Sequence, residues 1–364
     1  MQKTSRVGSC ILSVGRGRPD MNLQPIHPSS VSVIIAAHRE GPMVDACFQA
    51  VANLRPAPGE VIIAVDGGCP KLVAAAEAHG FSVIPLPRAP GVSAARNAGA
   101  RLASGSVLAF LDSDVVAQED HVARILSVLT DNPGARAAFG SYDNAPAADG
   151  LVSRYRNLLH HFTHQNSRRE AETFWAACGV CEATAFLAVG GFDENYRRPS
   201  IEDIELGYRL RRAGYRIVLE PSWQIRHLKR WRLRDLILTD FSCRAVPWTL
   251  LLLQKARMDN DLNIDSKSRI SAILILVSLI SGSLGLASFQ TVWMSISALA
   301  AAVTIAINLR FYLFLHRQGG LTLALASIPL HFLYFLTAIS GYIVGRCIFQ
   351  IRHFRGENSR FTAG

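Results

Sequence analysis

Three stretches near the carboxyl end, about 270–289, 292–309 and 321–349, are almost free of charge, and each is near the roughly 20 apolar residues that a spanning helix needs. A chain that enters lipid must satisfy its backbone hydrogen bonds internally, so these segments are expected to be helices. They also account for a composition of 49% hydrophobic and 18% charged residues, when a soluble chain is nearer a quarter charged. At 364 residues, two structural units are expected. Upstream, 245–253 is apolar but too short to span. It follows the cluster Arg226, His227, Lys229, Arg230, Arg232 and Arg234, which suits a segment lying at the lipid interface. Lys267 and Arg269 before the first span, with Arg310 and Arg317 after the second, put both flanks in the cytoplasm. A third span would then export Arg346, Arg352 and Arg355, so either the last stretch is a hairpin or the tail charges do not set orientation.

The net charge of +10 suits nucleic acid, anionic lipid or a phosphorylated substrate. Zinc-finger spacing, a basic recognition helix and an aromatic-basic sheet motif are all missing from the sequence, which argues against nucleic acid. The seven cysteines form no disulfide framework, and the single CxxC, Cys178 and Cys181, reads as two small core residues rather than half a zinc site. Residues 1–30 read as a disordered leader in which Met21 is an alternative start; the apolar stretch at 10–14 is too short for a signal peptide.

Between 31 and 141, apolar runs at 31–37, 61–65, 81–85, 106–111 and 135–140 alternate with segments of helical period such as Val44, Cys47, Phe48, Val51 and Leu54. Strands alternating with helices predict an α/β fold with a doubly wound, mostly parallel sheet and flanking helices, followed by an α-helical membrane region. Ligands of such sheets sit beyond the carboxyl ends of the strands, where Asp66 and Asp112–Ser113–Asp114 fall. A less regular part, 151–231, carries the turn Gly190–Gly191–Phe192–Asp193, a helix from about Glu202 stopped by Gly214, and a strand at 215–219.

Two carboxylates one residue apart at a strand end suit a hard divalent cation, Mg²⁺ or Mn²⁺, that keeps positions open for phosphate; a loop with a helix cap is the plainer reading of the same residues. Asp66, before Gly67–Gly68, is placed to accept hydrogen bonds from a base or ribose, or simply to make a turn. Arg96, in the small-residue segment 91–99, reads equally as a phosphate contact or a structural arginine. At 201–205 an acidic group opens a helix, which dipole complementarity alone would explain. A displacement at an anomeric carbon, however, needs a carboxylate to take the acceptor's proton; Asp203 is the candidate, with Glu202 and Glu205 as fallbacks.

The segments VSVIIAAHRE, AVDGG, GVSAARNAGA, FLDSD, GGFDE and EDIELGYRLRRAGYR, in that order over about 31–231, resemble the family 2 glycosyltransferases of the GT-A fold. The resemblance implies a UDP- or GDP-sugar donor, a Mn²⁺ or Mg²⁺ held by Asp112–Ser113–Asp114, and nucleotide contacts from Glu40 and Asp66. It also implies inverting transfer by single displacement, with Asp203 as base. Two departures stand out. Asp66 is followed directly by glycine where many relatives have a second acid, and His227 occupies the place of the glutamine in the Gln-x-x-Arg-Trp motif of processive synthases. In some relatives with this fold a histidine completes the metal site, which makes His227 either a metal ligand or an interfacial histidine beside lipid. The expected organisation is a leader (1–30), a GT-A domain (31–235), an interfacial segment (236–268), about three transmembrane helices (269–352) and a tail (353–364). The catalytic domain is expected on the cytoplasmic face of the inner or plasma membrane, acting on a lipid-linked or glycan acceptor. A non-catalytic membrane scaffold that retains the sheet is the rival reading.

Overall fold

The computed structural model describes residues 26–87, 90–255 and 262–356; most of the expected leader, with Met21 and the 10–14 stretch, and the tail beyond 356 lie outside the described residues. From the amino end, β1 (Val31–Ala37), α1 (Pro42–Ala52), β2 (Glu60–Asp66), α2 (Pro70–Ala78), β3 (Ser82–Leu86), α3 (Val92–Leu102) and β4 (Val107–Asp112) alternate as the apolar runs require. Their strands pair in parallel in the order β3-β2-β1-β4. Helices cover both faces, so β1 is buried almost throughout: Ile35 packs with Phe48 and Val51 on one side, and Ile34 with Phe110 on the other.

The second half of the sheet keeps two strands in the expected parallel direction and adds three that run against it. It comprises β5 (Val115–Ala117), α4 (His121–Asp131), β6 (Ala135–Tyr142), α5 (Leu151–Asn166), β7 (Glu170–Ala171), β8 (Cys178–Glu182), α6 (Ala183–Ala188), α7 (Glu202–Arg212) and β9 (Arg216–His227). β8 enters between β4 and β6, antiparallel to both, while β5 and β7 pair antiparallel with β9. The sheet is therefore mixed. Cys178 and Cys181 are fully buried in β8 with their thiols pushed up by burial, as core residues would be.

The helical region divides differently from the sequence reading. α8 (Leu233–Leu238), a π-helical stretch (Thr239–Ala245) and α9 (Val246–Lys255) run on, so that Leu233–Gln254 forms one continuous helix. With α10 (Ser266–Ser288) and α12 (Leu309–Phe354), it is one of three helices among the described residues long and apolar enough to cross a membrane. The stretch expected to span second is α11 (Thr291–Ile307), whose 17 residues make it shorter than the other three. The 245–253 stretch looked too short because Asp240 and Arg244 interrupt its apolar run; in the fold Asp240 pairs with both Arg244 and Arg156. α12 breaks at Gly319–Gly320, and before the break Phe311 and Leu315 pack on Tyr155 and Leu158 of α5, so Arg310 and Arg317 lie at the end of α12 that meets α5. Farther along, a Cβ on Gly341 would stand 2.3 Å from the Ala245 side chain, so glycine is what lets α12 lie against the π-helical stretch.

Candidate active site

Beyond the carboxyl ends of β1, β2 and β4 lies a cavity of about 420 Å³, lined among others by Asp66, Arg96, Asp112, Asp114, Asp203 and His227. It gathers residues from distant parts of the chain. Asp66 closes β2, and its Oδ1 accepts a hydrogen bond from the Gly91 N–H at 3.2 Å. Gly91 has φ of 103°, and a Cβ there would meet the Arg197 carbonyl at 2.3 Å, so this close approach demands glycine.

Arg96 is buried and bridges two acids: Nη2 lies 2.7 Å from Asp112 Oδ1, and Nη1 lies 2.9 Å from Glu202 Oε1. Its guanidinium also stands over the Phe192 ring at 5.3 Å. The arginine therefore ties the end of β4 to the start of α7. Glu202 is fully engaged, because it also accepts the Ser200 N–H at 2.7 Å, and Glu205 is clamped by Arg209 at 2.6 Å and does not line the cavity.

Asp203 stands apart from these two acids. Its Oδ2 accepts the Ala176 N–H at 3.2 Å and Oδ1 accepts the Ile204 N–H at 2.8 Å. Partial burial raises its carboxyl to about 7, and neighbouring Glu202 adds to the effect, against Arg96 and the two N–H groups. A carboxylate so poised can exchange a proton near neutrality.

Asp112 and Asp114 shift in opposite directions. Burial, opposed by Arg96 and reinforced by Asp114, pushes Asp112 up. Burial acts on Asp114 too, but His227 and then Lys229 overcome it and hold Asp114 below the ordinary carboxylate range. His227 Nε2 lies 3.7 Å from Asp114 Oδ2, beyond hydrogen-bond reach, and the imidazole stacks on Tyr142 with centroids 4.3 Å apart at 12°. Among the described residues no three His, Cys, Asp or Glu side chains form a ready-made metal cluster. Arg96 occupies Asp112, which leaves Asp114 and His227 as the pair facing each other.

Glu40 is not brought into the cavity; it is exposed and pairs with Lys71 at 3.1 Å. The sequence reading missed Tyr142, Trp175 and the residues Arg156, Asn157 and His160 of α5, all of which line the cavity. His160 is kept neutral by burial and by His164, and its Nδ1 has no hydrogen-bond partner. The i, i+4 recurrence of Arg156, His160 and His164 was the available signal, a polar stripe on one helix face.

The protein is similar to several known proteins. It is 32% identical over 165 residues to a pre-mycofactocin glycosyltransferase of Mycobacterium tuberculosis, covering 43% of this chain and 34% of that protein. It is 29% identical over 234 residues to a validoxylamine A glucosyltransferase of Streptomyces hygroscopicus subsp. limoneus, covering 55% and 52%. The chain thus spans a third to a half of the length of these relatives. Among solved structures, a mannosyltransferase from Pyrobaculum calidifontis in complex with GDP-Man and Mn²⁺ superposes with a TM-score of 0.48 at 15% identity, over 87% of this chain and 89% of that one. Residues 32–192, which contain Asp66, Arg96, Asp112 and Asp114, match the family model described as glycosyl transferase family 2, so this chain carries a family 2 glycosyltransferase domain.

Proposed function

We propose that the protein is a membrane-anchored inverting glycosyltransferase that moves a sugar from a UDP- or GDP-sugar to an acceptor hydroxyl, with Asp203 as general base. The observation that carries this reading is the position of Asp203. It lines the same cavity as Asp66, Asp112, Asp114 and His227, and its carboxyl is raised to about 7 while its two acidic neighbours are consumed by arginines. In the step, the acceptor oxygen bonds to the anomeric carbon as the bond from that carbon to the diphosphate oxygen breaks. Asp203 takes the hydroxyl proton, and the nucleoside diphosphate leaves with the electron pair. One displacement inverts the anomeric centre. Asp66, at the end of β2, suits a donor's base or ribose hydroxyl.

The donor set fits a divalent cation. Asp112 and Asp114 repel one another across the cavity, and Asp114 Oδ2 and His227 Nε2, 3.7 Å apart, fall within the span of two ligands each about 2.1 Å from one ion. Asp114 and His227 would hold it, with Asp112 beside them. Bound there, Mn²⁺ or Mg²⁺ supplies charge neutralisation at the departing diphosphate. The apolar helices support anchoring in the inner or plasma membrane, and a cytoplasmic catalytic domain would meet nucleotide sugars where they are made. A lipid-linked or glycan acceptor completes the reading. The test is nucleoside diphosphate release from a panel of nucleotide sugars, in membranes, with and without chelator. No release from any donor, with no nucleotide bound, would favour a scaffold instead.

A further inference from the structure

A second cavity, of about 300 Å³, lies among the apolar helices. Its walls include Trp248 and Leu252 of α9, Ala272 and Ile273 of α10, and Phe335 of α12, while its charged lining residues are Arg156, Asp240, Arg244 and Arg269. Arg156 and Arg244 also line the catalytic cavity, so the two spaces share these arginines as a common boundary. Ile273, also in the lining, is 55% exposed on α10, so part of the cavity wall reaches the surface that would meet lipid.

The charges at the boundary do not balance. Arg156 grips Asp240 through both terminal nitrogens, at 3.1 and 3.3 Å, and Arg244 Nη1 reaches the same carboxylate at 3.2 Å. Arg156 and Asp240 are each only 8% exposed. Two guanidinium groups on one carboxylate leave a surplus positive charge beside the apolar space, on Arg244, whose side chain is 36% exposed and so open to an anionic ligand. A guanidinium fork matches phosphate oxygens, and an apolar tube ending in such a fork matches an anionic amphiphile.

We propose that this cavity binds a membrane lipid phosphate, with the phosphate ester on Arg244 and Arg156 and a single hydrocarbon chain between α9, α10 and α12. This deepens the transfer reading, because a group attached beyond the phosphate would pass the arginines into the catalytic cavity; that role for the head rests on the reading, whereas lipid binding does not. The π-helical stretch contributes to the geometry by carrying Asp240 and Arg244 together at the boundary.

The test is equilibrium binding to the full chain in an uncharged polyoxyethylene detergent, with geranylgeranyl phosphate, geranylgeraniol and inorganic phosphate as probes. Geranylgeranyl phosphate should bind saturably, and each of the other two at least about tenfold more weakly, the size of one lost charge-assisted contact. Arg244→Gln leaves the Arg156–Asp240 pair intact and should bring the phosphate form down to the level of the alcohol. Ala272→Phe, which fills the cavity, should weaken both prenyl compounds and leave nucleoside diphosphate binding unchanged. Equal affinity for alcohol and phosphate would mean an ordinary apolar cleft, and equal affinity for inorganic phosphate an anion site without a lipid; either overturns the proposal, and neither comparison depends on a variant folding. Nucleoside diphosphate binding in the same samples separates the two readings. Its loss with prenyl phosphate binding retained sinks sugar transfer alone, and the reverse sinks lipid phosphate alone.

Discussion

Asp203→Asn separates a proton acceptor from a residue that only complements a helix start. Asparagine preserves size but cannot take the acceptor's proton, and loss of a general base costs about 10² to 10⁴ in rate. It can also accept only one of the two backbone N–H bonds that Asp203 receives from Ala176 and Ile204, so one donor is left facing an amide N–H₂, at about 1–3 kcal/mol. An opposing effect depends on pH. The folded carboxyl sits at about 7 against an ordinary value of 3.8, so the folded state holds the proton more tightly, and wild-type stability falls as pH rises from about 4 through 7. The full shift corresponds to at most about 4 kcal/mol, less because solvent reaches the group. Asparagine has no such loss. Relative to wild type, its melting midpoint should be lower near pH 5 and should recover by about pH 8. Wild-type transfer, needing the carboxylate, should rise with pH through about 7. The assay pairs sugar transfer at saturating donor with nucleoside diphosphate binding, each over that range. Transfer within a few-fold of wild type would remove Asp203 from the proton step.

Asp114→Ala should weaken cation-dependent nucleotide binding more than Asp112→Ala, because Asp114 faces His227 while Asp112 is held by Arg96; titration of donor binding with Mn²⁺ compares them, and equal effects contradict the assignment. Excess chelator should abolish turnover, and undiminished nucleoside diphosphate release would remove the cation from the reaction. Arg96→Met should lower stability by about 3–5 kcal/mol by leaving the buried Glu202 unpaired, and Arg96→Lys by less; a melting midpoint unchanged in the methionine variant argues against the buried bridge. The protein should stay with membranes through alkaline carbonate, and full release would mean that the apolar helices do not span.

The parallel half of the sheet was legible because strands buried on both faces appear as unbroken apolar runs: 31–37 coincides with β1, and 61–65 lies within β2. β8 was not. Its Cys178–Gly179–Val180–Cys181 run of small residues has neither the length nor the alternation of a strand, and its position follows from filling the space between β4 and β6. The carboxylates of the cavity were legible for a topological reason, since strand-end acids must point beyond the sheet. Glu40 shows where that reasoning fails. It follows β1 by only a few residues, but the chain has already turned toward α1 and the side chain meets Lys71 at the surface.

The charged residues least visible as functional were those inside apparently unfavourable surroundings. On a sequence, Asp240 and Arg244 look like the end of a lipid-compatible stretch, and Arg156 looks like one polar residue of a solvated helix. Both impressions arise because pairing across 84 residues is invisible to periodicity. Together they neutralise most of their charge, which lets the helix from Leu233 continue, and they form the boundary between a polar cavity and an apolar one. A lone charge in such a helix would be strongly disfavoured, so the three residues have to be explained as a unit. Their surplus of one positive charge is then the part that structure alone does not require, since an Arg156–Asp240 pair would already balance. That surplus sits on Arg244, partly exposed where the two cavities meet, and it is there that the proposed lipid phosphate would add a counter-charge.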